Sequence, residues 1–181
     1  MLHAPVPPAR LPIPPGFIDF ASSSFDAILY PAAIPPTTPI SDNQSVQRRS
    51  SHLPDLVPFI QLITEKCNIL PVHLVMALMY VQRFRNGLPA GYKAEPEAAH
   101  RIFVASLLVA SKYSDDNCLS TRQVVRAAGD VWSIKEITRM EIGFLCFLHW
   151  DLHIHPDEMA TFLRNLNFDI SLILPSPSLF C

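Results

Sequence analysis

With 181 residues, 49% of them hydrophobic and 17% charged, the chain has enough apolar surface for one core and too little length for two ordinary domains. Fourteen Lys and Arg against sixteen Asp and Glu give a net charge of -2 with no run of one sign, which leaves no electrostatic footprint for nucleic acid or an anionic membrane surface. The longest apolar runs, 72–81 and 102–110, fall well short of the roughly 20 residues that span a bilayer. Cys67, Cys118, Cys146 and Cys181 stand apart without CxxC spacing, and Met1 opens no charged-then-apolar signal, so an intracellular protein of the nucleus or cytoplasm is expected.

Ten of the eighteen prolines lie within residues 1–50. That density is incompatible with continuous helix or a central strand, and the segment is expected to be a largely disordered leader that can be removed without unfolding the rest. Inside it, Phe17, Ile18, Phe20, Phe25, Ile28, Leu29 and Tyr30 form an apolar island, which either docks on the core as a short element or shares the leader's disorder.

From Pro54 the punctuation becomes that of a helical bundle. A first helix is predicted over about 54–67, with Leu56, Phe59, Ile60 and Ile63 on one face. A second, over about 71–86, presents Leu74, Val75, Leu78, Met79, Val81 and Phe84 and ends before Gly87. The third starts near Pro96 and runs through His100–Asp116, which is apolar on every side for about two turns before the cluster Lys112-Tyr-Ser-Asp-Asp116. A helix apolar all round must be buried among other helices. Ser120-Thr-Arg-Gln123 and Ser133-Ile-Lys-Glu136 both match the capping box, and Leu119 with Val124 and Trp132 with Ile137 are spaced as hydrophobic staples. They start a short fourth helix stopped by Gly129 and a fifth running to about His149, with a stripe of Ile137, Met140, Phe144, Leu145 and Leu148. A sixth begins at Pro156 with Met159, Phe162, Leu163 and Leu166. No strand pattern and no internal repeat is present. The folded unit is expected over 51–168, followed by a tail over 169–181.

Five helices with a buried third, a short fourth and a long fifth resemble a cyclin box. Met79-Tyr-Val-Gln-Arg-Phe84 is similar to the end of that family's second helix, and Ala110-Ser-Lys-Tyr-Ser-Asp-Asp116 to the end of its third. Arg139-Met-Glu141, with Leu148-His-Trp-Asp-Leu152, is similar to its fifth. The resemblance covers about 53–167, and the Pro-rich leader with the phrasing at 149–152 looks most like the fungal PCL-type cyclins. It implies an all-α, five-helix cyclin box without catalytic residues, cofactor or metal. Such a box forms a heterodimer with a cyclin-dependent serine/threonine kinase, which it activates in fungal cell-cycle or nutrient-responsive control. It also implies that Lys112 and Glu141, with Tyr113 and Asp115 beside them, face the kinase. The residues agree independently: Glu141 follows Ile137 by four and precedes Phe144 and Leu145, so its carboxylate emerges within the apolar stripe, where an unpaired charge is costly. A purely intramolecular Lys112–Glu141 pair is the competing reading, and both hold if the pair's spare donors and acceptors meet a partner.

The sequence departs from the family where Gln82 precedes Arg83 in place of an aspartate, which removes a charge network there. It also lacks the arginine-containing string of a substrate-docking patch in its first helix. A transcription-factor-type cyclin fold that binds general factors and nucleic acid would need a basic face, which is not apparent. His149, His153 and His155 with Asp151 and Asp157 follow no zinc signature. Thr38-Pro39 and Ser176-Pro177 fit proline-directed phosphorylation, and Arg48-Arg-Ser50-Ser51 a basophilic site. Phe103, Phe144 and Phe147 are assigned to the core, and Trp132 and Tyr113 to a half-exposed interface.

Overall fold

The computed structural model describes residues 16–29, 53–89, 92 and 97–168. Seven helices follow in chain order: α1 (Phe17–Leu29), α2 (Leu56–Lys66), α3 (Pro71–Asn86), α4 (Ala98–Ser114), α5 (Thr121–Ala127), α6 (Ile134–Phe147) and α7 (Pro156–Asn165). The described residues contain no strand, so the fold is all-α. Thr38, Ser50, Ser51 and Ser176 lie outside the described residues, as does Tyr30.

Of the two outcomes left open for the apolar island, α1 is the docked one. The prolines of residues 1–50 flank Phe17–Leu29 but do not enter it, so its backbone donors are intact and one face can bury Phe17, Ala21, Phe25 and Leu29. Phe25 is fully buried and meets Phe103 of α4 edge-on at 5.0 Å. Phe17 and Phe20 also take up Phe168 beyond α7, at 5.2 and 4.7 Å between ring centroids. α1 packs on α2 and α3, so removing the leader would uncover both. The island docks.

α3 and α4 form the centre. The predicted third helix is buried as its composition requires, with Phe103 through Ser111 all buried. The second helix is nearly as enclosed, since every residue from His73 to Val81 is buried; α1 covers the face that a leaderless bundle would have left to water. Pro58 sits in the first turn of α2, where a missing N–H costs nothing, and Asp55 rather than Pro54 precedes that helix. Gly87 ends α3 with φ -82, outside the left-handed region. A Cβ there would sit 3.0 Å from the outer edge of the Phe147 ring, a close contact that this exposed side chain would have to relieve by shifting a few tenths of an ångström. Gly129 does use its freedom, with φ +73 after α5.

Both capping boxes form. Ser120 Oγ accepts from Gln123 N at 3.2 Å while Gln123 Oε1 accepts from Ser120 N at 2.9 Å. Ser133 and Glu136 repeat the exchange at 3.2 and 2.8 Å. Each staple pair, Leu119 with Val124 and Trp132 with Ile137, is buried. Ser133→Ala is expected to cost about 1 kcal/mol, typical for a lost N-cap, seen as a lower thermal midpoint with unchanged helix content.

Candidate functional site

The last turn of α4 and the middle of α6 lie side by side, which brings together the two charges that the sequence singles out. Lys112 Nζ donates to Glu141 Oε2 at 2.8 Å, with 38% of the lysine side chain and 12% of the glutamate side chain exposed. The pairing answers the cost of placing a carboxylate in an apolar stripe. The ammonium reaches the surface, so its remaining donors are open to a partner.

Exposed apolar side chains lie on the same segments as this pair. Tyr113, Ile142 and Trp150 are more than half exposed, and Ile134 nearly so, while Leu145 and Leu152 rest partly buried against the core. Ile134, Thr138, Glu141, Ile142 and Leu145 recur at helical spacing along one side of α6. Asp115, half-buried at the end of α4, accepts from Asn117 N at 3.0 Å and so turns the chain toward α5. A charged pair with exposed Tyr113 and Ile142 next to it in sequence is suited to protein recognition, where aromatic anchors carry much of the binding energy.

Two aromatic assignments change. Trp132 is 4% exposed and packs edge-on against Phe59, so its staple role places it in the core. Phe147 emerges at 36% exposure, leaning on Phe84 at 4.3 Å. Trp150 is exposed instead, because α6 ends in two successive left-handed residues, His149 (φ 53) and Trp150 (φ 59), with Trp150 N bonded back to Leu145 O. That turn is not legible from local spacing, since neither residue is the glycine or asparagine that usually marks it.

The loop after Trp150 is tied to α3. Arg83 donates to Asp151 O, His153 O and Glu158 Oε1, each at 2.8 Å, and Tyr80 Oη donates to Leu152 O at 2.7 Å. Gln82, the departure from the family string, donates to Asn86 within α3. Arg83 therefore anchors the segment that carries Trp150 and Leu152. The hydrogen bond from Arg83 holds the Glu158 carboxyl below its ordinary value. A depressed carboxylate stabilises the fold above its unfolded pKa and loses that contribution as pH falls through the folded one. Acid destabilisation below about pH 4.5 should therefore be shallower in Glu158→Gln than in the native chain, measured as the thermal midpoint against pH. Glu158 is largely exposed, which keeps the difference small.

Among the described residues no group of three His, Cys, Asp or Glu side chains is placed to hold a metal ion; His153 and His155 instead stack edge-on at 4.3 Å. No helix of the described residues is long and apolar enough to cross a membrane.

A family model for the cyclin N-terminal domain matches residues 32–153, and the chain belongs to the cyclin family. Its relatives include PHO85 cyclin-1 of Saccharomyces cerevisiae, 26% identical over 136 residues, which is 75% of this chain and 48% of that protein. Cyclin-P4-1 of rice is 27% identical over 120 residues, covering 66% of this chain and 55% of that protein. PHO85 cyclin-2 of the same yeast is 24% identical over 110 residues, covering 61% and 36% respectively. The chain thus spans about half the length of the first two of these relatives.

Proposed function

We propose that this chain is a non-catalytic regulatory subunit that binds and activates a cyclin-dependent serine/threonine kinase as a heterodimer, in fungal cell-cycle or nutrient-responsive control. The observation that carries the proposal is the part-buried Lys112–Glu141 pair, with exposed Tyr113 and Ile142 next to it in sequence. Relatives named for the yeast PHO85 cyclins support the kinase class. The unit over 51–168, with α1 docked on it, supplies the kinase-facing surface through the ends of α4 and α6, and Asp115 lies at its margin. Activation is a population shift: a partner that binds only the assembled arrangement of the kinase's lysine–glutamate pair holds the enzyme in that state. The complex acts in the nucleus or cytoplasm without nucleic acid or membrane, and phosphorylation at Thr38, Ser50, Ser51 or Ser176 modulates it.

Phosphotransfer assays test this division of labour. The pure chain should turn over no ATP, since the sequence has neither a Gly-rich phosphate loop nor the catalytic strings of kinases, and adding it to a cognate kinase should raise peptide phosphorylation. ATP turnover by the isolated chain contradicts the proposal.

A further inference from the structure

The turn after α7 directs the chain onto α1. Asn167 is left-handed (φ 57), its N–H donates to Arg164 O at 3.0 Å and that of Phe168 to Leu163 O at 2.9 Å. This is the Schellman arrangement, which ends the helix and turns the backbone off its axis. Phe168 then stacks on Phe20 at 4.7 Å and meets Phe17 edge-on at 5.2 Å. The last described residue is thereby fixed against the first half of α1.

Phe20 also lines a groove of about 410 Å³ between α1 and α3. The apolar lining is Phe20, Ala27 and Ile28 of α1 with Leu166 just past α7; Ala27 is exposed and the other three are half-buried. Gln82 and Arg85 of α3 stand on the other side, and Gln82 Nε2 already donates to Asn86 Oδ1 at 3.0 Å. Among the described lining residues Arg85 is the one charged group. Such a surface favours an apolar, uncharged occupant, because covering it removes carbon from water. Leu166 lines the groove two residues before Phe168, so the chain is delivered to it without a linker.

Residues 169–181 lie outside the described residues, and their sequence supplies the match. Asp169 is followed by Ile170-Ser-Leu-Ile-Leu174, four large apolar side chains in five positions with no charge, and then by Pro175. From Phe20 to Ile28 the α1 axis rises about 12 Å, a distance that five extended residues cover at roughly 3.3 Å each. We propose that residues 170–174 dock in the groove between α1 and α3, with their Ile and Leu side chains against Phe20, Ala27, Ile28 and Leu166. The segment then fastens α1 to the bundle. A tether this short presents it at an effective concentration on the order of millimolar, so a separate protein of similar composition competes at a disadvantage.

The test reads methyl contacts and amide exchange in the full chain by NMR. Contacts between the methyl groups of Ile28 and those of Leu172 or Ile173 are expected at every protein concentration, with amide exchange at 172–174 slowed at least about tenfold relative to an unprotected chain. Ala27→Arg places a long charged side chain in the groove at an exposed helical position, and Ile173→Asp alters the segment while leaving the described residues unchanged. Each variant should lose the contacts and the slowed exchange while keeping a cooperative thermal transition. Absence of the contacts in the native chain, or slowed exchange that survives either variant, overturns the proposal. Contacts that vanish on dilution overturn it as well, since the occupant is then a second copy of the chain. None of these readings involves a kinase, so their failure is distinct from a failure of kinase docking.

Discussion

Glu141→Ala is expected to weaken kinase binding by about 2–5 kcal/mol, the range for truncating one partner of a buried, hydrogen-bonded charge pair, while leaving the isolated domain folded. The remaining Lys112 ammonium is 38% exposed and can turn to water. Lys112→Ala is not equivalent. It strands the Glu141 carboxylate, 12% exposed, on the apolar side of α6, so it should lower stability more than Glu141→Ala does. Thermal unfolding of each isolated variant, set beside its affinity for the kinase, separates the two effects. Loss of stability with unchanged affinity in both variants would leave the pair a purely internal one.

Phe25→Ala should destabilise the domain by about 3–5 kcal/mol, as buried phenylalanine truncations do. The ring is fully buried against Phe103, so its removal opens a void between α1 and α4 that neighbours on three helices cannot close together. Deleting residues 1–30 removes that contact together with Phe17, Ala21 and Leu29, and should abolish the cooperative thermal transition or lower its midpoint sharply. A truncated chain that melts as the full chain does would show that α1 is dispensable.

The bundle was legible because its signals are local. The capping boxes at Ser120 and Ser133 place two helix starts to the residue, and the apolar run from Phe103 to Ala110 requires burial whatever its neighbours. α1 was harder to read: proline density over fifty residues outweighed thirteen residues that hold none, and only the tertiary contacts with Phe103 and Phe168 decide that the island docks. In the site, Lys112 and Glu141 could be paired from the sequence, since a carboxylate within an apolar stripe needs a cation. The exposed rim could not. Ile142 and Trp150 reach the surface through the angle of α6 and the left-handed turn after it, and Trp132 is drawn inward by its staple with Ile137. The Arg83 anchor joins residues some seventy positions apart, beyond any window of local spacing.

Affinity capture with the full chain from its source cells, run in parallel with Glu141→Ala and with Ser133→Ala as a stability control, tests the docking claim most directly. The native chain and Ser133→Ala should recover a cyclin-dependent kinase in near-equal amount to themselves, and Glu141→Ala should recover little. Absence of any kinase from the native capture, or equal recovery by Glu141→Ala, would contradict the assignment of the α4–α6 face.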